Sequence, residues 1–125
     1  MKLKASIVIL NFNGKHHLET FLPSVVRYSP AWAEIVVADN GSTDDSLLFL
    51  EKAFPKVRII ELKENHGFAE GYNKALKKLK SEYFVLLNSD VEVTHNWLDP
   101  IISEMDLRPE IVAAQPKIRD YKRKS

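Results

Sequence analysis

Short β-branched or aromatic runs alternate with stretches whose apolar residues recur at helical spacing, and this alternation constrains the fold most. Ile7-Val8-Ile9-Leu10, Ile35-Val36-Val37-Ala38, Val57-Arg58-Ile59-Ile60, Tyr83-Phe84-Val85-Leu86-Leu87 and Ile111-Val112-Ala113-Ala114 read as five strands buried on both faces. Between them, three apolar stripes mark helices: Leu18, Phe21, Leu22, Val25 and Val26; Phe68, Ala69, Tyr72, Leu76 and Leu79; Trp97, Leu98, Ile101, Ile102 and Met105. A shorter helix over Ser46 to Phe54 has a cap in Thr43 and first-turn acids in Asp44 and Asp45. Pro23 is expected to kink or restart the first helix, whereas Pro100 lies near a helix start, where a missing N–H costs less. Strand followed by helix, repeated, predicts an α/β fold: an open, mostly parallel sheet with helices on both faces, joined by right-handed crossovers.

Length and charge narrow the class. The 125 residues suit one domain, and 18 Lys+Arg against 17 Asp+Glu argue against a basic nucleic-acid binder or an acidic disordered tail. Without cysteine there is no disulfide framework, thiolate nucleophile or zinc–thiolate site. The first apolar run, Ala5 to Leu10, is too short to span a membrane and lacks a small-residue cleavage site, so a cytoplasmic location is expected. Residues 1–116 read as the domain, and Lys117 to Ser125 as a basic, solvated tail.

Ligands of open α/β sheets bind outside the carboxyl ends of the strands, so the residues after each strand matter most. They are Asn11-Phe12-Asn13-Gly14, then Asp39-Asn40-Gly41-Ser42-Thr43-Asp44-Asp45, then the loop from Glu64 to Asn73, then Asn88-Ser89-Asp90. Asn, Asp and Gly are ordinary turn residues, but four such loops at one sheet edge exceed what turns require. No G-x-x-x-x-G-K-[ST] is present, and Gly67 and Gly71 are wrongly spaced for G-x-G-x-x-G. A diphosphate would therefore need another counter-charge. Asp90 suits a divalent cation, Mg²⁺ or Mn²⁺, completed by the ligand's own phosphates. Asp39, at a strand end, suits the N3–H of a pyrimidine base.

In order and spacing, Ser6 to Asn13, Val37 to Asp44, Glu64 to Asn73 and Leu86 to Asp90 resemble the N-terminal half of family-two glycosyltransferases of the GT-A fold. These are inverting enzymes that take a sugar from a nucleotide diphosphate donor. The resemblance runs from Ser6 to about Gln115 and, in the Glu-Asn-x-Gly-Phe-Ala loop, looks most like the rhamnosyl- and galactofuranosyl-type branch. It implies a donor-nucleotide site of Asn11, Asn13, Asp39, Asn65, Gly67, Asn73 and Asn88, with Asp90 as metal ligand. Asn88-Ser89-Asp90 stands where the family carries D-x-D, so Asp90 is the motif's only carboxylate. In the family an acceptor-binding half follows the fifth strand and supplies the general base. That half is expected to be missing here, so no catalytic residue is assigned and the chain alone is expected to be inactive. The implied partners are a UDP- or dTDP-sugar and, through the missing half, an acceptor glycan or lipid-linked sugar. Self-association through uncovered apolar surface, and peripheral membrane association of a full-length enzyme in polysaccharide synthesis, complete the expectation.

Blander readings hold for several residues. Adjacent His16 and His17 read as solvated surface, since neighbours on a helix do not share a face. His66 reads as a loop residue, His95 as part of a helix start and Trp97 as core rather than a sugar platform. Glu92 is a weaker second candidate for the metal. Lys74, Lys77, Lys78 and Lys80 form a solvated helix face. The rival from another class is a non-catalytic nucleotide-binding or interaction domain. Its receiver-like version needs an acidic pair where Asn11 and Asn13 stand and a phospho-acceptor Asp where Leu62 and Lys63 stand.

Overall fold

The protein is described here from a computed structural model covering residues 4–108. Four strands alternate with four helices: β1 (Ala5–Asn11), α1 (Lys15–Tyr28), β2 (Ala33–Asp39), α2 (Ser46–Ala53), β3 (Arg58–Glu61), α3 (Phe68–Leu76), β4 (Tyr83–Leu87) and α4 (Asp99–Leu107). The strands form one sheet in the order β3-β2-β1-β4, and every pairing is parallel. The α/β expectation holds. The expected strand at Ile111 to Ala114 and the tail from Lys117 lie outside the described residues.

Alternation along the strands sends side chains to two cores. Ile7, Ile9, Val37 and Leu87 meet Leu18, Leu22 and Val25 of α1, Leu50 of α2 and Ile102 of α4. Val8, Val36, Ala38 and Ile60 point the other way, onto Tyr72 and Ala75 of α3 and Leu79 beyond it. Full burial of one such Leu or Ile side chain contributes about 1.5–3 kcal/mol. Trp97 packs on the first core as expected, but from the chain just before α4 and not from the helix itself, and its indole N–H donates to Ser29 Oγ at 3.3 Å.

Three expectations need correction. β4 is buried on one face only: Phe84 and Leu86 are 41% and 51% exposed, because α3 covers β1 to β3 and no described element lies over β4 on that side. Phe68 is not in the buried stripe of α3 but 65% exposed, since it is the first residue of the helix, at the lip of the sheet edge. α1 runs unbroken through Pro23, its Leu22 and Val25 both buried, so packing on the sheet outweighs one missing backbone donor.

At the amino ends of the strands, polar side chains tie the sheet together. The Ser6 hydroxyl donates to Glu34 at 3.0 Å, and Arg58 reaches the same carboxylate at 3.4 Å. Lys4 contacts Asp106 of α4 at 2.7 Å, and the Tyr83 hydroxyl donates to it at 2.8 Å. These two hydrogen bonds hold the Asp106 carboxyl below the usual carboxylate range. Among the described residues, no helix is long and apolar enough to cross a membrane.

Candidate functional site

β1 has β2 on one side and β4 on the other, so the chain reverses its lateral direction between β1 and β4. A crevice at the carboxyl ends of the strands follows from that reversal. A groove of about 480 Å³ opens there. It is lined by Leu10 and Phe12 at the end of β1, His17 of α1, Asn40 after β2, Asn65 and Gly67 before α3, Phe68 and Tyr72 of α3, and Asn88, Ser89 and Asp90 after β4. Tyr72 ties α3 to the sheet by donating its hydroxyl to the Leu87 carbonyl at 3.2 Å, and burial pushes its phenol pKa up.

Beside the groove, the ends of β1 and β2 carry a buried polar network. Asn11 and Asp39 face each other in register, and both are almost fully buried. The Asn11 amide donates to Asp39 Oδ1 at 3.0 Å and to Ser42 Oγ at 3.2 Å. Ser42 in turn donates its hydroxyl to Asp39 Oδ1 at 2.7 Å and its N–H to Asp39 Oδ2 at 3.0 Å. A carboxylate accepts and never donates when ionised, so Asp39 fixes the NH₂ end of Asn11 toward itself. The other end, Asn11 Oδ1, is buried without a hydrogen-bond partner among the described residues.

The β2–α2 loop is held from both sides. Asn13, in the left-handed region at φ 49°, accepts the N–H groups of Thr43 at 2.7 Å and Asp44 at 3.1 Å. Such a backbone is tolerated by Asn better than by most residues. Asp44 accepts from the Ser46 N–H at 3.0 Å and from the Lys15 N–H at 3.2 Å, linking the starts of α2 and α1. Burial pushes the Asp44 carboxyl up, but the hydrogen bonds from Ser46 and Lys15 outweigh it and hold its pKa below the ordinary value. Thr43 therefore does not cap α2 as expected; Asp44 takes the Ser46 N–H instead. Gly41 has φ 83°, and a Cβ there would lie 2.7 Å from Glu64 Cα, so only glycine lets the two loops approach this closely.

Of the sequence-predicted site residues, Asn65, Gly67, Asn88 and Asp90 converge on the groove. Asn11, Asn13 and Asp39 form the adjoining network. Asn73 sits on the exposed part of α3 and does not line the groove. Asn40 and Ser42 join the site without a signal in the sequence, because the burial of Asn40 and the contacts of Ser42 depend on which loops lie opposite them. His17 and Phe68, expected on the surface and in the core, both line the groove, next to the loops after β1 and β3. His66 contacts Glu64 at 3.8 Å. The His95 ring meets Tyr28 edge-on; His95 lies in a turn ahead of α4, which begins only at Asp99, so it is not part of the helix start as expected.

Among the described residues, no group of three His, Cys, Asp or Glu could hold a metal unaided. The groove offers one carboxylate, Asp90, beside the Ser89 hydroxyl and the Asn88 amide. That is an oxygen set suited to Mg²⁺ or Mn²⁺ only when phosphate oxygens complete the shell.

The profile of Glycosyl transferase family 2 matches residues 6–125. An uncharacterized glycosyltransferase of Haemophilus influenzae is 26% identical over 111 residues, covering 86% of this chain and 34% of that protein. An N-acetylglucosaminyl-diphospho-decaprenol L-rhamnosyltransferase of Mycobacterium tuberculosis is 25% identical over 125 residues, covering 91% of this chain and 41% of that protein. S. aureus TarS 1–349, crystallised with UDP-GlcNAc, superposes with a TM-score of 0.73 at 27% identity, covering 86% of this chain and 32% of that one. The chain thus spans well under half the length of each of these relatives. A parallel β3-β2-β1-β4 sheet with its amide-rich groove at the β1/β4 reversal, and a profile match over nearly the whole chain, make this protein a member of glycosyl transferase family 2.

Proposed function

We propose that the groove binds the nucleotide-sugar donor, UDP- or dTDP-linked, of an inverting glycosyltransferase in polysaccharide or glycoconjugate synthesis. The observation that carries this reading is the convergence of Asn65, Gly67, Asn88 and Asp90 from two separate loops on one groove. The UDP-GlcNAc bound by the structural relative TarS supports the choice of ligand.

Each chemical task falls to a group already described. Asp39 uses two acceptor positions on Oδ1 and one on Oδ2. Of roughly four lone-pair sites on a carboxylate, one remains on Oδ2 for a pyrimidine N3–H. Asn11 and Ser42 hold that carboxylate in place, so a base lacking the donor would leave a buried acceptor unpaired. Asp90, with Ser89 and Asn88 beside it, would hold a divalent cation, which supplies charge neutralisation for the departing nucleoside diphosphate. The acceptor hydroxyl then attacks the anomeric carbon from the face opposite the diphosphate. No residue among 1–125 is assigned as the base that takes its proton, and sugar transfer by these residues alone is expected to be undetectable.

Calorimetric titration with UDP- and dTDP-sugars, with Mn²⁺ or Mg²⁺, tests the reading. Binding that weakens at least tenfold in Asp39→Ala is expected. A folded sample that takes up no pyrimidine nucleotide at millimolar concentration contradicts it.

A further inference from the structure

Two interlocked asparagines give the groove a definite hydrogen-bond polarity. Asn40 is 2% exposed, and its side chain spans from the end of β2 to the β3–α3 loop. Its Oδ1 accepts the His66 N–H at 3.0 Å, while its Nδ2 donates to Asn65 Oδ1 at 3.1 Å and to the Gly67 carbonyl at 3.1 Å. Asn65 Oδ1 also accepts the Gly67 N–H at 2.8 Å.

The amide orientations follow from backbone chemistry. A backbone N–H can only donate, so His66 must meet the oxygen of Asn40, and Gly67 must meet the oxygen of Asn65. Asn40 then has its NH₂ end left for Asn65 Oδ1 and the Gly67 carbonyl, and both are acceptors. Turning either amide over would set oxygen against oxygen and leave an N–H unpaired, a cost that is largest at Asn40, whose side chain is buried away from water. Glycine at residue 71 lets α3 lie close over this arrangement: a Cβ there would lie 3.1 Å from Asn40 Nδ2 and 3.0 Å from Leu10, so its neighbours would have to shift by a few tenths of an ångström.

We propose that Asn40 is a positioning residue that sets the groove's polarity: it keeps the Asn65 oxygen turned into the protein and the Asn65 NH₂ group presented to the ligand, where it donates to an acceptor oxygen of the nucleotide. The inference rests on the nucleotide-binding reading above and adds to it which end of residue 65 the ligand meets. Asn65→Asp is the sharp test, because a carboxylate can still accept from Gly67 and Asn40 while replacing the outward donor by an acceptor. Asn65 is itself exposed, so the fold is not at stake.

Two measurements separate the clamp from the ligand. Amide hydrogen exchange without ligand should show the His66 and Gly67 N–H groups protected in the wild type and in Asn65→Asp, and at least tenfold faster in Asn40→Ala. Calorimetry with UDP and Mg²⁺ should place affinities in the order wild type, Asn65→Ala, Asn65→Asp, the last at least tenfold below the first. Asn40→Asp keeps an acceptor for the His66 N–H but loses the donor to Asn65, so His66 should stay protected while UDP affinity falls; loss of fold alone would not spare His66. Fast exchange at His66 and Gly67 in the wild type overturns the clamp, whatever UDP does. Asn65→Asp binding UDP as well as Asn65→Ala overturns the assigned polarity. Wild type that fails to bind UDP overturns the functional reading, and with it the ligand-facing role, while the exchange data still judge the clamp.

Discussion

Asn11 and Asp39 occupy paired positions at the carboxyl ends of adjacent parallel strands, and a 3.0 Å hydrogen bond joins their buried side chains. The pair sets the floor of the loops around the groove. Asn11→Ala removes a donor from Asp39 and from Ser42 together, and costs about 1–3 kcal/mol on the scale for buried partners left unpaired. For a chain of this size that is a fall of several degrees in thermal midpoint. An unchanged midpoint by circular dichroism would show that the bond adds no stability.

Gly41 combines a positive φ with a backbone contact too close for any Cβ. Gly41→Ala is expected to destabilise by at least about 2 kcal/mol, since left-handed geometry alone costs a non-glycine residue about 1–2 kcal/mol. Urea unfolding measures it. Equal stability of variant and wild type would mean that the β2–α2 and β3–α3 loops do not approach as described.

Asp44 gives the loop a pH dependence with a definite sign. Its folded pKa lies below the ordinary value, so its contribution is fully present above the unfolded pKa of about 3.9 and is lost as pH falls through the folded value. The chain should therefore lose stability below about pH 4, and Asp44→Asn should flatten that part of the profile. Thermal midpoints measured from pH 7 to pH 3 check it; a variant profile parallel to the wild type's would assign the acid loss to other carboxylates.

Leu50 and Leu86 distinguish covered from uncovered faces. Leu50 is fully buried between α2 and the sheet, whereas Leu86 is 51% exposed on β4. Leu50→Ala should cost about 2–5 kcal/mol, as truncations in packed cores do, and Leu86→Ala under about 1 kcal/mol. Comparable losses at the two positions in chemical denaturation would mean that further chain covers β4 on the α3 side.

Much of this arrangement is legible in the sequence because the strands are written as short β-branched runs. Ile7 to Leu10 and Ile35 to Ala38 fall wholly within β1 and β2, and Tyr83 to Leu87 coincides with β4. The exposure of Phe84 and Leu86 was not legible, since an apolar run looks the same whether one face or two is covered. That α1 does not restart at Pro23 was not legible, because local propensity is weighed against helix packing only in the folded chain. Loop composition pointed to the sheet edge where the groove opens, and the family resemblance to Asn65, Gly67, Asn88 and Asp90, which line it. Asn40 stayed hidden because its role depends on which loop lies opposite it, a contact between residues 25–27 positions apart in the chain.

The central claim is that a nucleoside diphosphate occupies the groove at the β1/β4 reversal. Backbone amide shifts of the labelled chain, followed while UDP is added in the presence of Mg²⁺, test it most directly. The account predicts saturable changes concentrated at Asn40, Asn65 to Phe68 and Asn88 to Asp90, and their loss in Asp90→Asn. No change at millimolar UDP, or changes gathered at Ser6, Glu34 and Arg58 at the amino ends of the strands, would contradict it.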